Sequence, residues 1–149
     1  MSYQPPYQPS HWDARFLDMA RLVASWSKDP STQVGAVIVD PCNRVVSTGF
    51  NGFPRGIADE YTTREAKLLR TLHAEVNAIL FAGRDLTGCR IYVTHTPCAR
   101  CAVQIIQSGI SCVLSAAPTI EFATRWQNEV AESIELMCEA GVNYLEIQP

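Results

Sequence analysis

The sequence predicts one α/β domain, a sheet covered by helices on both faces. Three observations carry that prediction. Residues 34–39 (VGAVIV) form a short apolar run rich in β-branched side chains, the pattern of a strand covered on both sides. From residue 72 onward, short apolar strands alternate with amphipathic helices, and strands joined through helices are usually parallel. The chain has 149 residues, 47% apolar and 18% charged, which suits a single globular core.

The elements follow in order. Residues 1–10 (MSYQPPYQPS) are proline-rich and read as a flexible tail, leaving 11–149 as the domain. Ser10 with Asp13 three positions on is a variant of the capping box and starts a helix. Trp12, Phe16, Met19, Ala20 and Val23 then mark one helical face, and the helix should fail near Asp29-Pro30. After strand 34–39, Asp40-Pro41-Cys42-Asn43 is a turn signal and 44–50 reads as the returning strand of a hairpin. Residues 51–63 hold Gly52, Pro54 and Gly56, lack periodicity and read as a loop. A helix is predicted over 72–81, closed by Gly83. A strand over 90–94, a helix over 98–107 opened by Pro97 and stopped at Gly109, and a strand over 111–115 come next. Trp126, Val130, Ile134 and Met137 trace a long helix ending at Gly141, and 142–147 is the last strand. No internal repeat, linker or second domain is visible.

Composition narrows the function. Net charge is −3, and a protein that grips long nucleic acid usually carries a basic face, so no nucleic-acid partner is expected. No apolar run approaches the roughly 18 residues of a membrane span, and the N-terminus lacks the basic and apolar regions of a secretory signal. The cysteines are Cys42, Cys89, Cys98, Cys101, Cys112 and Cys138. A chain with an adequate core and no dense cysteine framework fits a reducing, cytoplasmic setting without a membrane partner.

Two segments carry chemistry, His73-Ala74-Glu75 and Pro97-Cys98-Ala99-Arg100-Cys101. H-x-E followed by P-C-x-x-C is the established signature of zinc deaminases, and the pairing is recognised here as such. Its physical sense can be worked out. Cys98 and Cys101, three apart on a helix, would share one face. Placed in the first turn, they would meet unpaired N–H groups and the positive end of the dipole, which favour thiolates. His73 would add a neutral nitrogen. Three protein ligands leave one tetrahedral position for water, as in catalytic zinc sites. Zinc with two thiolates and an imidazole is neutral overall, and its water becomes acidic enough to supply hydroxide near neutral pH. Glu75, two residues past His73, points away from the ligand direction. There it would take the proton of that water, pass it to N3 of a cytosine ring and later protonate the departing amine. The plainer alternative is a structural zinc site, but only three ligands are evident and a carboxylate adjoins one of them. The remaining cysteines read as buried small hydrophobes. His95 reads either as a group behind the metal or, more commonly for such a position, as a turn histidine. His11 reads as an exposed residue at a helix start.

Several blocks resemble the deoxycytidylate (dCMP) deaminase family: SKDPSTQVGAVIVD (27–40), STGFNGFPRG (47–56), HAEVNAI (73–79) and YVTHTPCARCAVQIIQSGI (92–110). HAE occurs across zinc deaminases, whereas SKDP together with GFNGFPRG is much more specific. The resemblance implies a cytidine-deaminase-like three-layer α/β/α sandwich around a five-stranded mixed sheet. It implies zinc on His73, Cys98 and Cys101, Glu75 as proton shuttle, and dUMP for thymidylate synthesis as product. Asn51 would bond the deoxyribose, the Ala74 N–H the cytosine carbonyl, and the Thr96 carbonyl the amine. Ser27 and Lys28 would lie near the phosphate. Taken alone, Asn51-Gly52 is also a good turn dipeptide, and Lys28 also fits a charge at a helix C-terminus. Arg55 reads either as a solvated loop charge or as a phosphate contact.

Many members of the family are hexamers activated by dCTP with Mg2+ and inhibited by dTTP, and the loop Gly49, Phe50, Asn51 and Gly52 resembles the segment involved. A homo-oligomer with such effectors is therefore an expectation. Some relatives carry a longer insert before the histidine with an additional zinc site, but no ligand cluster lies between Ile57 and Leu72 here. Rival readings are a deaminase of deoxycytidine, dCTP or 5-substituted dCMP, a tRNA adenosine deaminase, and a non-catalytic zinc module that senses nucleotides. The net charge and the SKDP and GFNG blocks argue against the tRNA enzyme, and the presence of Glu75 argues against the sensor.

Overall fold

The computed structural model describes residues 5–148. The elements run α1 (Trp12–Ala24), β1 (Gly35–Val39), β2 (Val45–Phe50), α2 (Arg64–Arg70), α3 (Ala74–Ala82), β3 (Arg90–Val93), α4 (Ala99–Gln107), β4 (Cys112–Ala116), α5 (Ile120–Arg125), α6 (Gln127–Ala140) and β5 (Asn143–Ile147). The five strands form one sheet in the order β2-β1-β3-β4-β5. β1 is antiparallel to both β2 and β3, while β3, β4 and β5 are parallel. The sheet is therefore mixed, as expected.

Side chains of β1 divide by the two-residue period of a strand. Ala36 and Ile38 join Ala74, Ala78, Ala102, Ile105 and Met137 on the face covered by α3, α4 and α6. Val37 and Val39 join Phe16, Leu17, Ala20 and Val23 of α1 on the other face. Every residue of β1 is buried, which is why the run reads as continuously apolar instead of alternating.

Two glycines let the helices come close. A Cβ on Gly35 would stand 2.0 Å from the Ala20 carbonyl oxygen of α1, and one on Gly49 would stand 2.3 Å from the Ala74 carbonyl oxygen of α3. Both contacts are with backbone, which cannot rotate away.

Several boundaries differ from the sequence reading. α1 ends at Ala24, not near Asp29, because the Ser25, Trp26 and Ser27 N–H groups tighten into a turn on the carbonyls of Leu22, Val23 and Ala24. At its start, Asp13 does reach back to the Ser10 N–H at 2.9 Å, while Ser10 Oγ accepts from Trp12. Asp13 also accepts hydrogen bonds from the hydroxyls of Tyr7 and Tyr92, each at 2.6 Å. Of the stretch read as a tail, residues 1–4 lie outside the described residues.

The reading of 51–63 as loop leaves out α2, which follows it, and α5 is likewise absent from the sequence reading. Both are short and have no buried apolar face; α5 has no buried residue at all, and the buried residue of α2 is Lys67. Leu69 of α2 is 89% exposed. Their signal is the cap: Thr63 and Thr119 accept from the N–H groups of Ala66 and Phe122, each with a glutamate in the first turn. The excursion between β2 and α3 is closed at its base by reciprocal bonds, Gly52 N–H to the Leu72 carbonyl at 3.1 Å and Leu72 N–H to the Gly52 carbonyl at 2.8 Å.

Candidate metal centre

Leu72 is engaged in that bridge, so α3 starts later than predicted. His73 is its N-cap, with extended backbone (φ −74°, ψ 154°). Cys98 is likewise the N-cap of α4 (φ −72°, ψ 168°) and not a residue of its first turn. The cysteines still converge, because an N-cap side chain and the residue three positions on lie over the same end of the helix. Two helix N-termini thus meet, one bringing the imidazole and the other the two sulfurs. Cys98 keeps the α4 ladder intact by accepting from the Ala102 N–H at 2.9 Å.

His73 Nδ1 lies 3.2 Å from Cys101 Sγ and 3.5 Å from Cys98 Sγ. All three ligand atoms fall within 4.8 Å of one another, and they form the one such cluster among the described residues. A tetrahedral zinc with bonds of about 2.3 Å to sulfur and 2.0–2.1 Å to nitrogen places such atoms roughly 3.5 Å apart. The donor set and spacing fit zinc. Cys101 is buried, Cys98 half-buried and His73 exposed, so the cluster opens to solvent on the histidine side.

Charge is arranged to suit a cation. Cys98 is pulled down to about 4, chiefly because the Cys101 thiol donates to it, with His73 helping against the effect of burial. Cys101 is pushed up by giving that hydrogen bond and by burial. Without metal, the pair is therefore one thiolate and one thiol. His73 is raised by its bond to Cys98, burial opposing. Glu75 is 3% exposed, and burial pushes its carboxyl up; its own backbone amide and His73 pull the other way, and Cys98 adds to the rise. It is a sequestered acid beside the ligands.

The other predicted residues have structural partners. Asn51 is buried after β2; its Oδ1 accepts from Val34 N–H and its Nδ2 donates to the Thr32 carbonyl, both at 2.8 Å. One amide hydrogen remains. Ser27 donates to the Asn51 carbonyl at 2.8 Å. Lys28 reaches into solvent and pairs with Asp59 at 2.9 Å. Arg55 stacks over the Phe81 ring, 5.1 Å from its centroid. Thr96 is buried with Oγ1 3.0 Å from the Tyr144 hydroxyl. Ala74 opens α3, so its N–H is one of the helix's unpaired donors. Of the expected loop 49–52, Gly49 and Phe50 are instead the end of β2, held in register with β1; Asn77 donates to the Phe50 carbonyl at 2.8 Å, Gly49 abuts α3, and Gly52 pairs with Leu72. His95 has Nδ1 3.0 Å from Thr94 Oγ1 and its ring 5.5 Å from that of Phe122. Burial lowers its pKa. The sequence reading misses Phe122 because it misses α5.

The family model described as "Cytidine and deoxycytidylate deaminase zinc-binding region" matches residues 10–117. The chain belongs to this family. An Aliivibrio fischeri protein named "Uncharacterized deaminase in luxG 3'region" is 57% identical over 135 residues, spanning 89% of this chain and 91% of its own length. A probable deoxycytidylate deaminase of Drosophila melanogaster is 48% identical over 118 residues, 70% of this chain and 58% of the fly protein. The crystal structure of dCMP deaminase from the cyanophage S-TIM5 in complex with dCMP and dUMP superposes with a TM-score of 0.78 at 21% identity, covering 95% of this chain and all of that one. At that identity the likeness establishes the fold: this deaminase-family chain has the cytidine-deaminase-like architecture.

Proposed function

We propose that this deaminase hydrolyses dCMP to dUMP and ammonia. The observation that carries the reading is the convergence of His73, Cys98 and Cys101 beside the buried carboxyl of Glu75. The names of its deoxycytidylate deaminase relatives supply the substrate. His73, Cys98 and Cys101 would hold one zinc ion, which when bound supplies a Lewis acid that makes water acidic at neutral pH. Glu75 accepts one proton of the attacking water and delivers it to N3 of the cytosine; it then takes the remaining proton from the new C4 hydroxyl and passes it to the amine, which leaves as ammonia as the C4 carbonyl forms. Its burial suits this task, since desolvation raises the carboxyl and makes it a better proton acceptor than an exposed glutamate.

The Ala74 N–H holds the cytosine O2 and the Thr96 carbonyl orients the amine. The remaining amide hydrogen of Asn51 reaches the deoxyribose. Ser27 and Lys28 take the phosphate with Arg55 near it; Lys28 leaves Asp59 to do so. Residues 11–149 act as one catalytic domain in the cytoplasm, and the product feeds thymidylate synthesis. The working form is a homo-oligomer, a hexamer as in many relatives. In support, α3 leaves Leu80 and Phe81 65% and 62% exposed, as expected of a helix awaiting a covering surface. The loop Gly49–Gly52 would respond to dCTP with Mg2+ and to dTTP.

Absorbance assays of dCMP, dCTP and deoxycytidine side by side, each with and without dCTP or dTTP as effector, test the reading. dCMP is expected to be the best substrate by kcat/KM; a preference for deoxycytidine or dCTP overturns the assignment. Lys28→Ala is expected to raise KM for dCMP far more than for deoxycytidine. Equal effects would move the phosphate site elsewhere. Purified protein is expected to hold about one zinc per chain. Acid should strip it, because protons compete for both sulfurs and the imidazole. Careful metal analysis finding none would count decisively against the mechanism.

A further inference from the structure

The chain has two lysines, Lys28 and Lys67, and both tie residues 28–29 to the excursion between β2 and α3. The ties differ in depth. Lys28–Asp59 is solvent-exposed, with side chains 81% and 57% accessible, and such pairs hold little in place. Lys67–Asp29, at 3.0 Å, has side chains only 11% and 10% accessible. Removing one member of a pair so sheltered leaves the other charge uncompensated.

Asp29 stands at the centre of a closed set of bonds. Its Oδ1 accepts from the Ser31 N–H at 2.8 Å, the Thr32 N–H at 3.0 Å and Lys67 Nζ at 3.0 Å. Lys67 Nζ also lies 3.3 Å from Ser31 Oγ. The Thr32 carbonyl fixed in this way receives Asn51 Nδ2, and Asn51 Oδ1 holds the Val34 N–H. Ser27 closes the far side, its Oγ donating to the Asn51 carbonyl and accepting from the Asp29 N–H at 3.2 Å. Burial alone would raise the Asp29 carboxyl, but the Thr32 amide, the Lys67 ammonium and the Ser31 amide hold it below its usual range. The carboxylate is therefore a charged pivot, and Lys67 is its only cationic partner among the ion pairs of the described residues.

We propose that Lys67 is a positioning residue for substrate: through Asp29 it sets the loop 27–32 and, through the Thr32 carbonyl, the orientation of the Asn51 amide. This role rests on the sugar and phosphate contacts proposed above. α2, which presents almost no apolar surface to the core, then has a purpose of its own, since it delivers one buried ammonium to the loop.

The test uses the full-length enzyme with Lys67→Met, which keeps length and removes charge, and Lys67→Arg, which restores charge. Lys67→Met is expected to raise KM for dCMP about tenfold or more, with kcat within about threefold and zinc content unchanged. Amide hydrogen exchange at Ser31, Thr32 and Val34 is expected to quicken about tenfold while β1 and β3 stay protected. Lys67→Arg should recover most of both effects. An unchanged KM with unchanged exchange overturns the proposal; so does a fall in kcat that tracks zinc loss, which would mark general collapse. If Lys67→Met does not fold, Asp29→Asn must give the same KM and exchange pattern, and its failure to do so is equally decisive. A parent enzyme that does not turn over dCMP sinks the functional reading instead, and the exchange data then judge the loop separately.

Discussion

Glu75→Gln is expected to keep its zinc and lose turnover on dCMP by roughly 10²–10⁴-fold, the span typical of removing one proton-transfer group. The amide has nearly the shape of the acid and sits in the same buried place, so α3 and the ligand set should stand unaltered. The neutral amide fills the same buried space, and the fold should melt close to the parent temperature. KM should move little, because Glu75 acts on protons in transit. Metal analysis, melting curves and steady-state kinetics on one preparation separate these outcomes. Near-normal kcat would refute the proton-relay role, and loss of zinc would recast Glu75 as part of the metal's support.

Gly49→Ala is expected to lower stability by roughly 3 kcal/mol, a fall in Tm of the order of 10 °C, and to cut kcat as well. A Cβ there would meet the Ala74 carbonyl oxygen at 2.3 Å and the Ala78 nitrogen at 2.5 Å. These are backbone atoms of the helix that carries His73 at its cap and Glu75 in its first turn. Relief requires α3 to slide off the sheet, taking imidazole and carboxyl with it. Gly35→Ala serves as the comparison. Its Cβ would meet Ala20 of α1 at 2.0 Å, an equal insult on the opposite face. That variant should be destabilised too, yet its folded molecules should retain kcat. If Gly49→Ala melts and works like the parent, the contact between β2 and α3 does not set the site.

β1, β3 and β4 were legible because they are short, largely apolar and buried, whereas the partly exposed edge strands β2 and β5 were marked by the turn at 40–43 and by Gly141 before them. The zinc ligands were legible because their spacing survives a change of local structure: Cys98 proves to be a cap instead of a helical residue, and the sulfurs meet all the same. What escaped is what depends on distant partners. Lys67 and Asp29 lie 38 positions apart, and nothing local announces that they pair. Gly49 looks like an ordinary strand glycine until α3 is laid against it. α2 and α5 have no apolar stripe to give them away, and only their threonine caps were available to read. Asn51 was seen as a turn residue and as a sugar contact, but its amide also braces the Thr32–Val34 backbone.

The paired bonds between Gly52 and Leu72 give the excursion from β2 to α3 a neck. A loop sealed at its base can grow at its tip with little penalty, since doubling its length adds only about 0.6 kcal/mol of closure entropy. Gly56, with φ of +81° and open space where a Cβ would go, lies within that excursion. New sequence spliced in beside it, whether by a lineage acquiring an extra module or by an engineer adding a reporter, would hang outside the neck while His73 stays in register behind it.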